Sequence, residues 1–475
     1  MINNASNPLC VDLDGTLITT DLLLESCFAL LKLNIFYIFL ILFWLLKGKA
    51  YLKKKIACRV DLPADLLPYH SDFLDYLKEE HTKGRRLILA SASNEKYVNA
   101  IAEHLGIFHN IFSSNATVNL SGNRKLQCLQ DFLSDRKFDY AGNAREDLVL
   151  WHKADKAVLV NPGRGVKEEV EREKIIINQV FDNRKESIFL GYIRAMRLHQ
   201  WLKNLLIFVP LLMAHRFTDP TLLGRAVIAF LAFCMCASSV YVLNDLLDLP
   251  DDRKHPSKQN RPFAAGTLSI VHGVILIPML LGIAFGLAAL LRIEFFYMLL
   301  SYYIITLAYS LRLKRAALID VIVLAGLYTI RIIAGGVAVT VENSFWLLVF
   351  SMFTFLSLAL AKRYTELLPL QNRNNSFNRG YNTTDTETLF QFGCCSAYMA
   401  VLILALYINS EAVRNLYAHP KIIWLLCPLL LYMMTRIWLL ARRNELHEDP
   451  VVFMIQDRRS QLLAVVGAIL LWLAA

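Results

Sequence analysis

The chain has 475 residues, enough for two domains. Its apolar fraction of 56% and mean hydropathy of +0.41 exclude a wholly soluble protein of this size. A net charge of +10 comes without an RNA- or DNA-binding motif, so it points to basic loops beside anionic lipid and not to nucleic acid. Residues 50–195 are mixed and polar, whereas residues 201–475 are mostly apolar runs. The nine cysteines show no zinc-type spacing, and Cys234, Cys236, Cys394, Cys395 and Cys427 fall within apolar segments. They read as small buried hydrophobes in a reduced compartment. Asp12 and Asp14 interrupt the first apolar stretch, which argues against a signal peptide.

The first predicted element is the short apolar strand Leu9-Cys10-Val11, which runs into Asp12-Leu13-Asp14-Gly15-Thr16. A second strand, Leu87-Ile88-Leu89-Ala90-Ser91, ends in a hydroxyl; Lys125 and then Tyr140-Ala141-Gly142-Asn143-x-x-x-Asp147 follow. As an ordered set these resemble the motifs of haloacid-dehalogenase (HAD) phosphatases, over residues 7 to about 162. The resemblance implies a Rossmann-like α/β fold in which Asp12 attacks phosphorus and Asp14 acts as acid and base. It also implies that Ser91 binds phosphate, that Lys125 is the basic partner, and that Asp12, Asp14, Asn143 and Asp147 hold Mg²⁺. Asn143 stands where many relatives carry Asp; an amide carbonyl still ligates Mg²⁺, with one negative charge fewer. The alternative is a regulatory module without turnover.

Between the first two motifs lies Ile35–Leu46, twelve continuous apolar residues followed by Lys47, Lys49, Lys53, Lys54 and Lys55. Twelve residues are too few to cross a hydrocarbon core of about 30 Å. The segment reads as part of a cap, about residues 20–85, that dips into the cytoplasmic leaflet with its lysines on anionic headgroups. A buried cap helix is the competing reading.

Nine apolar runs follow, at about 204–214, 226–243, 269–291, 295–311, 318–340, 345–361, 390–409, 421–441 and 461–475. The connections after the second, fourth, sixth and eighth runs carry most of the basic residues, among them Arg373 and Arg379, whereas the alternate ones carry few, such as Arg414. By the positive-inside rule those loops and the N-terminal domain are cytoplasmic. The second run closes on Asn244-Asp245-Leu246-Leu247-Asp248-Leu249-Pro250-Asp251-Asp252, whose Asp245, Asp248 and Asp252 share one face if the helix continues. Acidic clusters at a membrane edge are costly and usually functional. Three carboxylates there need a cation, and hard oxygen ligands with room for water and phosphates suit Mg²⁺. The sequel from Arg253 to Pro262, with Lys258 and Arg261, can hold phosphate oxygens opposite the metal.

Other loops repeat the theme. Trp201 reads as an interfacial anchor, with Lys203 and Asn204 facing a cavity. Tyr309, Lys314, Asp320, the mid-span Arg331, and Lys362-Arg363-Tyr364-Thr365-Glu366 complete the set. A charge such as Arg331 must pair or line a wet cavity.

Residues 194–475 resemble the UbiA prenyltransferase superfamily, nine-helix membrane enzymes with an Asp-rich metal motif at the end of the second helix. The resemblance rests on Asn244-Asp245-x-x-Asp248-x-x-x-Asp252, His255-Pro256, Arg261-Pro262 and Ala265-Gly266. Gln200-Trp201-x-Lys203-Asn204, Tyr309-Ser310-x-x-x-Lys314, Arg331-x-x-Ala334-Gly335-Gly336 and Lys362-Arg363-Tyr364-x-Glu366 look like the decaprenyl-phosphate phosphoribosyltransferase branch. Around residues 362–388 the chain lacks the second aspartate cluster of aromatic prenyltransferases.

The branch implies transfer of phosphoribose from phosphoribosyl diphosphate to a polyprenyl phosphate. Transfer of a prenyl group from a polyprenyl diphosphate to an aromatic acceptor is the alternative. The expected architecture is therefore a Rossmann-like HAD domain at 1–185 followed by an all-α, nine-helix transmembrane bundle at 186–475. The expected location is a bacterial inner membrane, with both active sites cytoplasmic.

Overall fold

The computed structural model describes residues 7–134, 136–182, 188–370, 380–410, 413, 417–446 and 449–474. Arg373, Arg379, Arg414 and the expected boundary at 185/186 lie outside the described residues. The chain divides into two compact units, Met1–Met196 with Tyr241–Ile277, and Arg197–Val240 with Pro278–Ala475.

The first unit is built on six parallel strands: β1 (Leu9–Val11), β2 (Leu87–Asn94), β3 (Asn110–Ser114), β4 (Asp139–Gly142), β5 (Lys156–Val160) and β6 (Ile177–Phe181). They lie in the order β3-β2-β1-β4-β5-β6, the doubly wound arrangement expected of a Rossmann-like domain. Alternation in β1 sends Leu9 and Val11 into one core layer and Cys10 into the other. The order reverses between β1 and β4, so the segments leaving these strands open a crevice at their carboxyl ends. Asp12 leaves β1 there, and Asn143 leaves β4.

Three helices are inserted after β1: α1 (Leu22–Leu33), α2 (Tyr37–Leu46) and α3 (Lys49–Ala57). Asp21 caps α1 through its side chain, which accepts from Leu24 N. The competing reading, a buried cap helix, is not what is found: in α2 only Trp44 is buried.

Seven helices among the described residues are long and apolar enough to cross a membrane: Pro220–Leu247, Ile270–Ala289, Ile293–Leu311, Ile319–Val339, Phe345–Leu367, Thr383–Ile408 and Pro420–Arg442. They correspond to the second through eighth expected runs. The first run is instead a 3₁₀ segment, Leu198–Phe208, leading into the short helix Val209–Met213, where Pro210 lacks the amide a continuing helix needs. The ninth is the 17-residue helix Arg458–Ala474. The 3₁₀ segment packs tightly on Ile319–Val339: a Cβ at Gly335 would lie 2.1 Å from the Ile207 carbonyl oxygen.

Candidate functional site

In the crevice of the parallel sheet, Lys125 Nζ donates to Asp12 Oδ1 at 2.7 Å and to Tyr140 Oη at 3.1 Å. Tyr140 Oη donates in turn to Asp147 Oδ1 at 2.9 Å, and Asp147 Oδ2 accepts from the backbone amides of Asn143 and Ala144. Burial, with Asp12 nearby, pushes the Asp147 carboxyl up to about 6. Burial also opposes the charge on Lys125, but Asp12 and Asp147 outweigh it and hold the amine above its ordinary value.

Asp14 accepts from Leu22 N at 2.9 Å and from Ser93 Oγ at 2.6 Å, with Ser91 Oγ at 3.5 Å. Burial, reinforced by Asp21, pushes its carboxyl up to about 7, where a carboxyl can both donate and accept a proton near neutrality. Gly15 has φ of +76°, and a Cβ there would lie 2.2 Å from Asn143 Nδ2, so the amide of Asn143 lies directly on the loop after Asp14. Asp12, Asp14, Ser91, Lys125, Asn143 and Asp147 therefore share one crevice. Its carboxylates, half-buried at Asp12 and Asp14 and buried at Asp147, and the Asn143 amide carbonyl are the hard-oxygen groups available there to Mg²⁺.

Two residues here were given no catalytic or binding role by the motif reading. Tyr140 joins Lys125 to Asp147. Lys53, expected on headgroups, turns inward from α3 and donates to the Ala92 carbonyl at 2.5 Å and to Asn119 Oδ1 at 2.8 Å. Burial lowers its pKa. It lines a small pocket with Leu22, Ser26, Ser93 and Tyr97.

The acidic motif departs from a single helical face. The Pro220–Leu247 helix ends, Asp248 sits at a break, and Leu249–Lys254 begins a new helix with Pro250 in its first turn. Two cations divide the carboxylates between them. Arg261 Nη1 lies 3.2 Å from Asp245 Oδ1 and 2.6 Å from Asp252 Oδ2, while Lys32 Nζ lies 2.7 Å from both Asp248 Oδ1 and Asp251 Oδ2. Among the described residues no three His, Cys, Asp or Glu side chains converge as a ready-made metal cage. Mg²⁺ needs only one or two carboxylates when water and phosphates complete its shell, and Asp245 with Asp252 fits that requirement. Asn244 and Lys258 are half-buried in the same segment.

In the second unit, Lys203 and Lys362 both reach Asp449 Oδ2 at 2.8 Å. Asp449 was not anticipated. Burial works to raise its pKa, but Lys362 and Lys203 prevail and hold the carboxyl below the usual range. Lys362, Thr365, Glu366, Asn444 and Asp449 line a polar cavity of about 290 Å³.

Arg331 is paired. Its Nε donates to Asn204 Oδ1 at 2.7 Å and its Nη2 to Tyr302 Oη at 2.9 Å. Asn204 also donates to Cys234 Sγ, and the half-buried Trp201 donates to Ser238 Oγ at 3.0 Å. Arg363 is fully buried and bonds Asp320, Glu366 Oε2 at 2.6 Å and Tyr309 Oη at 3.0 Å. Tyr381 Oη completes this network, donating to Asp320 Oδ1 at 2.5 Å. Lys314 lies half-buried in the turn Leu313–Arg315.

Residues 205–472 match the model of the UbiA prenyltransferase family. The chain belongs to that family. The uncharacterized protein y4nM of Sinorhizobium fredii is 37% identical over 468 residues, covering 97% of this chain and 90% of that protein. The UbiA family half is also similar to the decaprenyl-phosphate phosphoribosyltransferase of Corynebacterium glutamicum, 33% identical over 47% of this chain and 69% of that enzyme. A solved UbiA homolog from Archaeoglobus fulgidus bound to DMAPP and Mg²⁺ is 17% identical, covers 59% of this chain and 96% of its own, and superposes with a TM-score of 0.46.

Proposed function

We propose that this UbiA family member transfers phosphoribose from phosphoribosyl diphosphate to a polyprenyl phosphate, with Mg²⁺, and that its N-terminal domain is a phosphatase acting on the lipid product. Similarity to the Corynebacterium decaprenyl-phosphate phosphoribosyltransferase carries the first half of this reading. The boundary lies near residue 185, and the basic loops favour an inner-membrane protein with both sites cytoplasmic.

In the transfer, a phosphate oxygen of the polyprenyl phosphate bonds to ribose C1 as the bond from C1 to diphosphate breaks. The acceptor is already an anion, so no strong base is needed. Mg²⁺ held by Asp245 and Asp252, with Asp248 joining them once released from Lys32, would supply charge stabilisation to the departing diphosphate. In the first unit Lys258 and Arg261 bind phosphate oxygens and Asn244 orients the donor; in the second unit Lys203, Lys314 and Lys362 are the phosphate-binding cations. Arg331 with Asn204, and Arg363 with Tyr309, Asp320 and Glu366, fix the helices that present these groups. An apolar cavity of about 540 Å³, lined by residues including Ile305, Ile330, Phe345 and Met352, suits an isoprenoid chain.

In the phosphatase, Asp12 attacks phosphorus and the lipid-linked hydroxyl leaves with a proton from Asp14; water then releases phosphate from Asp12. Ser91 and Lys125 hold the phosphate, and Asp12, Asp14, Asn143 and Asp147 would hold Mg²⁺. Tethering both sites in one chain raises the effective concentration of the second enzyme around the product of the first.

Asp245→Asn and Asp248→Asn test the transfer assignment. Each should abolish transfer with little loss of folded protein. Full activity in both would reject the metal role, and prenylation of an aromatic acid without labelling of lipid would favour the aromatic reading.

A further inference from the structure

Helix α2 is apolar on every side. Phe36, Phe39, Leu42, Phe43 and Leu46 are all more than half exposed, Leu46 at 87%. Trp44 is buried in the core of the unit with Arg59 over its ring at 5.0 Å, and Tyr37 and Ile41 pack half-buried against the same core, so the remaining sides of the helix are left uncovered. A helix hydrophobic all round belongs in an apolar medium, not on a wetted surface.

Three ion pairs fix its level. Lys32, near the end of α1, pairs with Asp248 and Asp251, and Asp248 is the first residue past the membrane-capable helix Pro220–Leu247. Glu25, also on α1, pairs with Arg253 in the same segment. The chain enters α2 five residues after Lys32, so the helix starts where that span leaves the hydrocarbon. Ten residues at 1.5 Å each give about 15 Å, half a hydrocarbon core, so α2 lies in the interface and does not cross it.

Charge selects the kind of surface. From residue 26 to residue 60 there is no Asp or Glu, and Lys47, Lys49 and Lys54 are exposed beside α2. Lys47 sets its ammonium over the Phe43 ring at 4.7 Å, a cation–π contact that holds the charge beside the apolar helix end. Anionic phospholipid satisfies both the apolar faces and these cations.

We propose that α2 and its flanking lysines are a lipid-docking lip, seated in the leaflet into which Pro220–Leu247 runs. The helix following α2 carries Lys53 to the mouth of the phosphatase crevice. On the phosphatase reading above, the lip then selects phosphates carried on membrane lipids.

The test uses the full-length protein in vesicles of phosphatidylcholine and phosphatidylglycerol, with a photoreactive benzophenone amino acid placed at Phe39 or, as a control, at Lys78 on the exposed side of the domain. Lipid adducts on the Phe39 peptide, and none on the Lys78 peptide, are expected by mass spectrometry. Cross-linked dimers, or no adduct at Phe39, would overturn the proposal. Turnover is read separately: Phe39→Asp should slow release of phosphate from a lipid-linked substrate several-fold and spare a water-soluble aryl phosphate. If the wild-type protein hydrolyses neither, the phosphatase reading fails while the adduct result still decides the docking. Equal losses on both substrates would overturn the substrate-selecting role.

Discussion

Glu25 and Arg253, 228 positions apart, form a two-pronged ion pair: Nη1 lies 2.5 Å from Oε1 and Nη2 3.1 Å from Oε2. Both side chains are nearly inaccessible, and Thr20 Oγ1 adds a hydrogen bond to Glu25. Removing one partner leaves the other buried and charged, which costs about 3–5 kcal/mol. Glu25→Ala should therefore lower the thermal midpoint of the full-length protein markedly. Glu25→Leu combined with Arg253→Met should recover most of the loss. An unchanged midpoint in Glu25→Ala would mean that this pair does not hold the acidic segment to α1.

Asp449 offers a test by pH. Its carboxyl is held below the ordinary range, so its ionised form contributes stability above the unfolded carboxylate value of about 3.9. That contribution is lost as pH falls through the lower folded value. Asp449→Asn should melt earlier than wild type at neutral pH, because Lys203 and Lys362 lose their shared partner. The difference should narrow as pH falls below about 4. A constant difference across this range would contradict the assigned pairing.

The candidate site was legible where chemistry is carried by local order. Asp12 follows β1, Ser91 lies within β2, Lys125 is in the helix Asn123–Leu133 and Asp147 follows β4, and their order along the chain, which resembles the HAD motifs, is what grouped them. Contacts between distant segments left no local trace. Asp449 caps the helix Pro450–Gln456 and reads in sequence as an ordinary N-cap, while its link to Lys203 spans 246 positions. Lys53 is one of five similar lysines, and only the packing of α3 turns it inward. The acidic motif was recognised, but the helix break at Asp248 was overlooked although Pro250 signals it. Hydropathy located the spans well, yet the first and ninth runs are too short to qualify alone.

The phosphatase crevice is sensitive to one amide. Asn143 abuts Gly15 beside Asp12 and Asp14, and an Asp there would restore a negative charge to the donor set. Asn143→Asp should lower the Mg²⁺ concentration giving half-maximal phosphatase activity. It should also raise the Mg²⁺-dependent gain in thermal midpoint. If neither moves, Asn143 does not belong to the metal shell.

The most direct measurement supplies membranes containing the full-length protein and a polyprenyl phosphate with phosphoribosyl diphosphate labelled twice, in the ribose carbons and in the 5-phosphate. Both labels should first enter the lipid extract in equal proportion. The phosphorus label should then leave it while the carbon label stays, and Asp12→Asn should keep the two together. A lipid extract without either label would contradict the account.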